Sequence, residues 1–217
     1  GLFFMISIAY AMGAVRMAGQ GALIQQSNAV ESMSNVNVLC LDKTGTLTAN
    51  RIHFFEVDPL GGDEAELRRR LGIFAASVTA ANRTSEALSA GCPGERCAVV
   101  DEIPFSSARK WSALAFDSDV LRGVYVLGAP EMLRQHLQPD ADLGSKIHEW
   151  ADKGLRVLLF AYRSEVSPLR DSLGQPQLPP DLIPLGVISF SDELRPQADK
   201  TLKGFAEAGI RLKIISG

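Results

Sequence analysis

Apolar residues occur in runs whose lengths predict alternating strands and helices. Val36 to Leu41 and Leu185 to Phe190 are nearly continuous apolar runs of strand length, which is typical of strands buried on both faces of a sheet. Ile210 to Ile215 is a third such run, and the amphipathic stretch from Pro196 to Ala208 before it ends at Gly209. A strand, a helix and a strand with short joints predict a parallel βα unit over these last segments.

The middle of the chain predicts shorter elements. Asp63 precedes a helical pattern with Glu66 three positions later, which resembles a capping box. A Pro-rich segment from Ser167 to Pro184 predicts a long surface connection or a domain boundary. The other predicted elements are a strand over 51–57, a hairpin of strands 111–116 and 120–127 turning at 117–119, helices over 130–137 and 143–153, and a strand over 156–162.

The start of the chain is an apolar stretch with several interpretations. Gly1 to Val15 carries no charge, but a membrane-spanning helix needs about 20 residues. Residues Leu2 to Ala18 predict one helix, or two separated near Gly19 to Gly21, and Ser32 to Asn35 predicts a break before the first strand. No basic segment precedes the run and the chain begins with Gly, which disfavours a signal peptide. A buried core helix and one half of a membrane helix remain open.

Composition excludes some classes of protein. A chain of 217 residues with 46% hydrophobic and 22% charged residues is neither disordered nor short of core-forming side chains. The net charge of −3 lacks the basic excess of a nucleic-acid-binding protein. The three cysteines Cys40, Cys92 and Cys97 match no zinc or redox spacing, so we expect reduced cytosolic thiols.

The segment D-K-T-G-T-L-T from Asp42 to Thr48 carries the clearest chemical signal. It follows a predicted buried strand, where an open parallel sheet presents its ligand-binding edge. An Asp there can attack a phosphoryl group once a cation offsets the charge repulsion. Gly45 allows close backbone approach, and Thr44 and Thr46 supply hydroxyl and main-chain groups for phosphate and cation. The alternative, a solvated Asp in a Thr/Gly turn, does not explain a match of this length.

With this segment the sequence resembles the P-type ATPases, cation pumps phosphorylated on this Asp, and through them the haloacid dehalogenase superfamily. Val36 to Thr48 is similar to the first strand and nucleophile loop of their phosphorylation domain. The other similar segments are Pro104 to Lys110, Leu127 to Glu131 (the family's K-G-A-P-E), Gly154 to Arg156, Asp192 to Pro196 (D-P-x-R-P/K), and Ile214 to Gly217, which resembles the start of the T-G-D loop with Ser in place of Thr. The resemblance covers nearly the whole chain.

The resemblance implies roles for particular residues. The implied catalytic set is Asp42, Thr44, Thr46, Ser216 and Gly217, with Asp42 and Thr44 also holding Mg²⁺. In the implied ATP-binding set, Phe105 stacks on adenine, and Lys110 and Arg156 approach the nucleotide. Glu86 lies near the adenine amino group, and Gly128 and Asp192 complete the set. Taken alone, Phe105 would be a core residue, and Lys110 and Arg156 would be surface charges.

The implied fold is α/β: a partial Rossmann-like haloacid dehalogenase phosphorylation domain with an inserted α+β nucleotide-binding domain built on an antiparallel sheet. The expected boundaries are 1–33 for the end of a membrane helix and stalk, 34–51 and 181–217 for the two parts of the phosphorylation domain, and 52–180 for the nucleotide-binding domain. Gly1 to Val15 is then the cytosolic half of a membrane helix, and this region lies on the cytoplasmic side of a multi-pass membrane protein.

Two departures from the family pattern, and one residue that differs from the superfamily phosphatases, affect the expected chemistry. Leu127 stands where the family usually has Lys. The chain stops at Gly217, before the family's T-G-D Asp and G-D-G-x-N-D carboxylates, so the isolated chain is expected to be inactive. Thr44 occupies the position where superfamily phosphatases have a second Asp as general acid and base, so the acyl-phosphate should persist.

The expected function is a fragment of an ATP-driven cation pump that uses ATP and Mg²⁺ and forms an aspartyl-phosphate on Asp42. Its expected partners are ATP, the transported cation and the membrane, without nucleic acid. A soluble phosphatase or phosphotransferase of the same superfamily is an alternative that Thr44 and the apolar start disfavour; a non-catalytic ATP-binding module is another. The lack of a Ser-Glu-His-Pro element and the presence of the Phe105 segment favour calcium- or magnesium-type and related bacterial pumps.

Overall fold

The computed structural model describes residues 1–23, 25–26, 29–139 and 143–215. The helices are α1 (Leu2–Ala18), α2 (Ala29–Ser34), α3 (Glu64–Ser77), α4 (Arg83–Gly91), α5 (Pro130–Leu133), α6 (Lys146–Asp152) and α7 (Ala198–Glu207). The strands are β1 (Val38–Asp42), β2 (Thr48–Pro59), β3 (Val99–Ile103), β4 (Trp111–Asp117), β5 (Arg122–Gly128), β6 (Arg156–Arg163), β7 (Ile183–Leu194) and β8 (Arg211–Ile215). They form two compact units, Gly1–Ala49 with Leu194–Gly217, and Asn50–Glu193.

The first unit contains a two-stranded parallel sheet. β1 pairs with β8 in a register that sets Asp42 opposite Ile215. Helix α7 precedes β8 and ends before Gly209, whose φ of 76° suits a helix C-terminus. Cys40 is exposed and the other apolar residues of β1 are half-buried, so the prediction of a strand buried on both faces is wrong for the described chain. Within that chain, β8 is the strand that pairs with β1.

The N-terminal helix α1 ends before Gly19, as predicted, and has no buried residue. No described helix has both the length and the apolar character required to cross a membrane. The break predicted at Ser32 to Asn35 begins later than expected: α2 continues through Ser34. The Ser34 hydroxyl and the Asn35 amide both donate to the Glu31 carbonyl at 2.7 and 3.2 Å, and these bonds satisfy an otherwise unpaired acceptor of the last turn.

The second unit is built on a six-stranded sheet in the order β2-β7-β6-β5-β4-β3. Its pairs from β3 to β7 are antiparallel. Alternate strand residues point to opposite faces, and each face carries its own core. Leu71 of α3 and Leu88 of α4 pack with Leu127 and Phe160 on one face. The other face packs against α5 and α6; its core includes Val126, Leu133, Trp150 and Leu159.

Several predicted elements of this unit are confirmed. The hairpin forms from β4 and β5. Helix α3 begins after Asp63, whose carboxylate accepts from the Glu66 backbone N–H at 3.1 Å. Two helices are shorter than predicted: α5 passes into a 3₁₀ turn at Arg134–His136, and α6 begins only at Lys146.

The predicted parallel unit near the end of the chain is wrong. β7 pairs antiparallel with β6, whereas β8 pairs with β1, so the two strands lie in different sheets. β7 is apolar along its length because it lies between the two cores of the second unit. Ile188 and Phe190 face the core that contains α3 and α4, and Val187 faces the core that contains α5 and α6. A strand covered on both faces shows a continuous apolar run whichever way its neighbours run.

The Pro-rich segment lies inside the second unit. Leu169, Leu178 and Leu182 are buried in the core on the α5 and α6 side, and Arg170 forms an isolated bridge with Pro176. The segment is thus a packed connection to β7. The units divide after Glu193, and residues 181–193, expected in the phosphorylation domain, lie in the second unit because β7 belongs to its sheet.

Candidate functional site

Asp42 ends strand β1 and begins a tight loop, Lys43–Leu47. The Thr44 N–H donates to Asp42 Oδ1 at 3.1 Å, and the Gly45 N–H donates to the Thr48 hydroxyl at 3.1 Å. Gly45 has a φ of 79°, a conformation that glycine adopts without the steric cost other residues meet. Asp42, Thr44 and Thr46 are exposed, so the carboxylate and both hydroxyls are accessible to a ligand.

Arg195, which immediately follows β7, contacts the same loop. Its Nη2 donates to the Gly45 carbonyl at 2.8 Å and its Nε to the Thr48 carbonyl at 3.3 Å. Its backbone N–H donates to the Leu47 carbonyl at 2.9 Å. Arg195 is not among the site residues predicted from the sequence. Its position in a D-E-L-R-P segment was a signal that it lies near the site, but its partners are set by the fold.

The Asp42 loop carries some of the groups that a magnesium ion would need. Among the described residues, no group of three or more His, Cys, Asp or Glu side chains lies together in a way that could hold a metal ion. Mg²⁺ is commonly bound by one or two carboxylates together with water and substrate phosphates, and the exposed Asp42 carboxylate with Thr44 beside it fits such a partial role. The predicted site residues Ser216 and Gly217 lie outside the described residues.

Phe105 lies in the second unit, on the loop between β3 and β4. This residue is 49% exposed, and it borders a cavity of about 180 Å³. The other lining residues are Val78, Ala80, Ala81, Asn82, Glu102, Ile103, Pro104, Ser112 and Leu114. A half-exposed aromatic ring beside a mostly apolar cavity can stack on the flat face of a base.

Hydrogen bonds hold the backbone of the Phe105 loop. The Lys110 N–H donates to the Ser106 carbonyl at 2.7 Å, and Arg109 Nη2 donates to the Pro104 carbonyl at 2.9 Å. Lys110 has a φ of 57°, which turns the chain into β4. Its Nζ is exposed and lies 3.5 Å from the Glu131 carboxylate. This ion pair is solvated, so the ammonium group can exchange partners at small cost.

Gly128 and Leu127 lie at the end of β5. A Cβ on Gly128 would come within 2.5 Å of Trp111 Cβ, so glycine is required there by the close approach of β4. Leu127 is 5% exposed and belongs to the core that includes Leu114 and Phe160. The position where the family usually has Lys is a core position in this chain.

The structure does not bring the whole predicted ATP-binding set together. Glu86 is exposed on α4 and lines a separate cavity of about 540 Å³ with Arg51, His53 and Phe54. Arg156 is exposed at the start of β6, opposite Phe190, and Asp192 is half-buried near the end of β7. None of these three lines the cavity beside Phe105, and neither do Lys110 and Gly128.

The polar residues that line the Phe105 cavity, Asn82, Glu102 and Ser112, were missed in the sequence. Glu102 accepts from the Thr79 N–H at 3.1 and 3.2 Å and from the Thr79 hydroxyl. Asn82 caps α4 and forms a capping box with Ser85. The pattern Asn82-x-x-Ser85 before a helix was a usable signal for the cap. No local pattern marks Glu102, because its partner lies 23 positions away.

Comparison with known proteins gives relatives over the full chain. No protein-family model matches. The calcium-transporting ATPase CtpE of Mycobacterium bovis is 33% identical over 222 residues, covering 100% of this chain and 26% of the relative. The probable cation-transporting ATPase exp7 of Streptococcus pneumoniae serotype 4 is 32% identical over 207 residues, covering 94% of this chain and 25% of the relative. The chain thus spans about a quarter of the length of these relatives.

Solved structures share the fold. One structure of a zinc-transporting PIB-type ATPase matches with a TM-score of 0.60 at 20% identity, covering 96% of this chain and 30% of that one. A second structure of a zinc-transporting PIB-type ATPase, in another state, gives a TM-score of 0.58 with the same identity and coverage. The sequence of this chain is therefore similar, over nearly its full length, to cation-transporting ATPases, and its fold agrees with that of P-type ATPase structures.

Proposed function

We propose that the chain is the ATP-binding and phosphorylated segment of an ATP-driven cation pump, with Asp42 as the phosphoryl acceptor. One observation carries the proposal: an exposed carboxylate ends a parallel strand and is followed by a loop that hydrogen bonds hold in place. Ligands of α/β proteins bind at this end of parallel strands. The names of the relatives support the link to cation transport.

In the proposed reaction an oxygen of Asp42 attacks the γ-phosphorus of ATP. The bond between this phosphorus and the oxygen that bridges to the β-phosphate breaks, and ADP leaves with that oxygen and the bonding electron pair. The Thr44 N–H holds Oδ1, which leaves Oδ2 as the attacking atom. Mg²⁺ supplies charge neutralisation when bound, and we propose Asp42 and Thr44 as its contacts in this chain.

The side chain of Thr44 supports a pump over a phosphatase. A phosphatase needs a general base near the acyl-phosphate to activate water, and a threonine hydroxyl is not basic enough. Thr44 is the residue whose N–H binds the nucleophile, so it occupies the place that such a base would take. The aspartyl-phosphate should therefore last long enough for a conformational step.

We propose that the second unit is the nucleotide-binding domain, an α+β insertion on its antiparallel sheet. Phe105 is the proposed adenine platform, and Lys110, with its solvated ammonium group, is the proposed phosphate contact. Arg156, Gly128, Glu86 and Asp192 have weaker support. Gly128 has a packing role, and the other three neither lie on the Phe105 loop, as Lys110 does, nor line the Phe105 cavity.

We propose that the first unit is part of a Rossmann-like phosphorylation domain of the haloacid dehalogenase type. The parallel pair β1 and β8, with α7 leading into β8, supports this assignment. Thr46, Ser216 and Gly217 are proposed members of its catalytic site. The exposed apolar side chains of α1, among them Phe3 and Phe4, support a membrane-proximal stalk on the cytoplasmic side of a multi-pass protein. Calcium is the first cation to test, following the name of the mycobacterial relative.

Phosphorylation of the full-length gene product tests the function. With γ-labelled ATP and Mg²⁺, the wild type should form an acid-stable, hydroxylamine-sensitive phosphoprotein, and Asp42→Asn should abolish it because an amide is no nucleophile toward phosphorus. Asp119→Asn, at an exposed turn of the β4–β5 hairpin, is the matched control and should label normally. Labelling that survives Asp42→Asn would place the nucleophile elsewhere, and phosphate release without a phosphoprotein would indicate a phosphatase.

A further inference from the structure

Hydrogen bonds hold three successive peptide units of the Asp42 loop. The Thr44 N–H is held by the Asp42 carboxylate and the Gly45 N–H by the Thr48 hydroxyl. The Gly45 carbonyl is held by Arg195. The first two partners lie within the segment itself, but the third lies 150 positions away in the sequence.

The third bond acts where the loop has the most freedom. Gly45 has a φ of 79°, and glycine has more accessible backbone conformations than any other residue. Because a trans peptide sets C=O and N–H on opposite sides, the bond from Arg195 to the Gly45 carbonyl also directs the Thr46 N–H away from the guanidinium group. The orientation of the donors after Gly45 thus depends on Arg195.

Arginine suits this role because its guanidinium group is a planar, rigid set of donors. Here Nη2 and Nε reach two different carbonyls, those of Gly45 and Thr48. Thr48 is also the residue whose hydroxyl holds the Gly45 N–H. One side chain therefore sets the distance between the turn at Gly45 and the buried start of β2. A lysine ammonium on a flexible stem cannot reproduce both directions.

We propose that Arg195 is a positioning residue for phosphoryl transfer to Asp42, acting through the backbone of the Gly45 loop; this inference rests on the proposed function. Arg195 is itself exposed, so its hydrogen bonds compete with water and contribute little to global stability. Its effect falls on the geometry of the loop. Misplacement of reacting groups by about 1 Å costs about 100-fold in rate.

The test compares Arg195→Ala, Arg195→Lys and Arg211→Ala in the full-length protein. Arg211 is an exposed arginine of β8 in the same unit, and it serves as the matched control. At saturating ATP, Arg195→Ala should form phosphoprotein about 10- to 100-fold more slowly, while the affinity for ATP changes less than about twofold. Arg195→Lys should also be slow, since its charge remains but the two-carbonyl geometry is lost. Arg211→Ala should match the wild type.

Chemical rescue adds a measurement that a purely structural role would not affect. Millimolar guanidinium should restore part of the phosphorylation rate of Arg195→Ala and leave Arg195→Lys unchanged. A wild-type rate in Arg195→Ala would overturn the proposal, and so would full activity in Arg195→Lys, which would assign the effect to charge. If Arg195→Ala fails to fold, Arg195→Lys decides alone. If the wild type forms no phosphoprotein, the proposed function fails rather than this inference.

Discussion

The two units hold their proposed sites by different physical means. In the second unit, cores on both faces of a six-stranded sheet support the loop that carries Phe105. In the first unit, the buried side chains among the described residues are Leu47, Thr48 and Ala198, and the Asp42 loop owes its shape to polar bonds. Substitutions in the second unit should therefore appear mainly as lost stability, and those around Asp42 mainly as lost rate.

The largest expected effect is Leu127→Lys, which tests whether the second unit tolerates a charge in its core. Leu127 is nearly fully buried, and full burial lowers a lysine pKa by about 3 to 5 units at about 1.4 kcal/mol each, so we expect a loss of about 4 kcal/mol or more. Urea denaturation measures it. Val120→Lys, at an exposed position before β5, is the control. A stable variant that binds ATP more tightly would show that residue 127 faces the nucleotide.

A pair of leucine truncations compares the two units directly. Leu71 in α3 is fully buried, whereas Leu41 in β1 is only half-buried. Leu71→Ala should cost about 2 to 5 kcal/mol through lost burial and the cavity left behind, and Leu41→Ala should cost about 1 kcal/mol because it removes less buried area. Denaturation curves of both variants measure the difference. Equal losses would contradict the contrast between the units.

Phe105→Ala addresses the binding site rather than the core. The half-exposed ring should contribute about 1 to 3 kcal/mol to ATP binding by stacking, which is about 5- to 150-fold in affinity. Calorimetric titration measures the affinity, and a thermal melt of the same samples should show nearly unchanged stability. A large drop in melting temperature would instead make Phe105 a structural residue.

The smallest expected effect concerns Glu66 on α3. Hydrogen bonding from Arg69, assisted by Arg70 and opposed by partial burial, lowers the Glu66 pKa from 4.5 to about 2. A lowered carboxyl pKa contributes stability above pH 4.5 that is lost as the pH falls toward 2. Because the side chain is 40% exposed, Glu66→Gln should cost under about 1 kcal/mol at pH 7. The difference from wild type should shrink at pH 3, and a constant difference would contradict the ion-pair explanation.

Local patterns predicted much of the fold, because they depend on near neighbours. The Asp63 cap, the β4–β5 hairpin and the loop after β1 all follow from residues a few positions apart. The sheet to which β7 belongs could not be predicted in this way. An apolar run reports that both faces are covered, and it does not report which strand lies alongside.

The candidate site shows the same division. Asp42 could be proposed from the sequence because its whole segment is contiguous there. Glu86 was placed near the base from a loose local similarity, and the structure puts it in another cavity. Glu102 and Arg195 hold their positions through bonds to residues far along the chain, and one sequence without its fold does not reveal such partners.

The position of β2 beside β7 bears on the order in which the chain folds. β1 and β8 must find each other across residues 43–210, and closing so long a flexible loop is entropically unfavourable and slow. The second unit begins with β2 and ends with β7, which are neighbours in its sheet. Once that sheet has formed, the chain segments that lead to β1 and β8 start from adjacent strands. Pairing β1 with β8 then requires closing only the short connections to β2 and β7, with α7 included, instead of the whole intervening chain. The parallel pair that carries Asp42 should therefore assemble last.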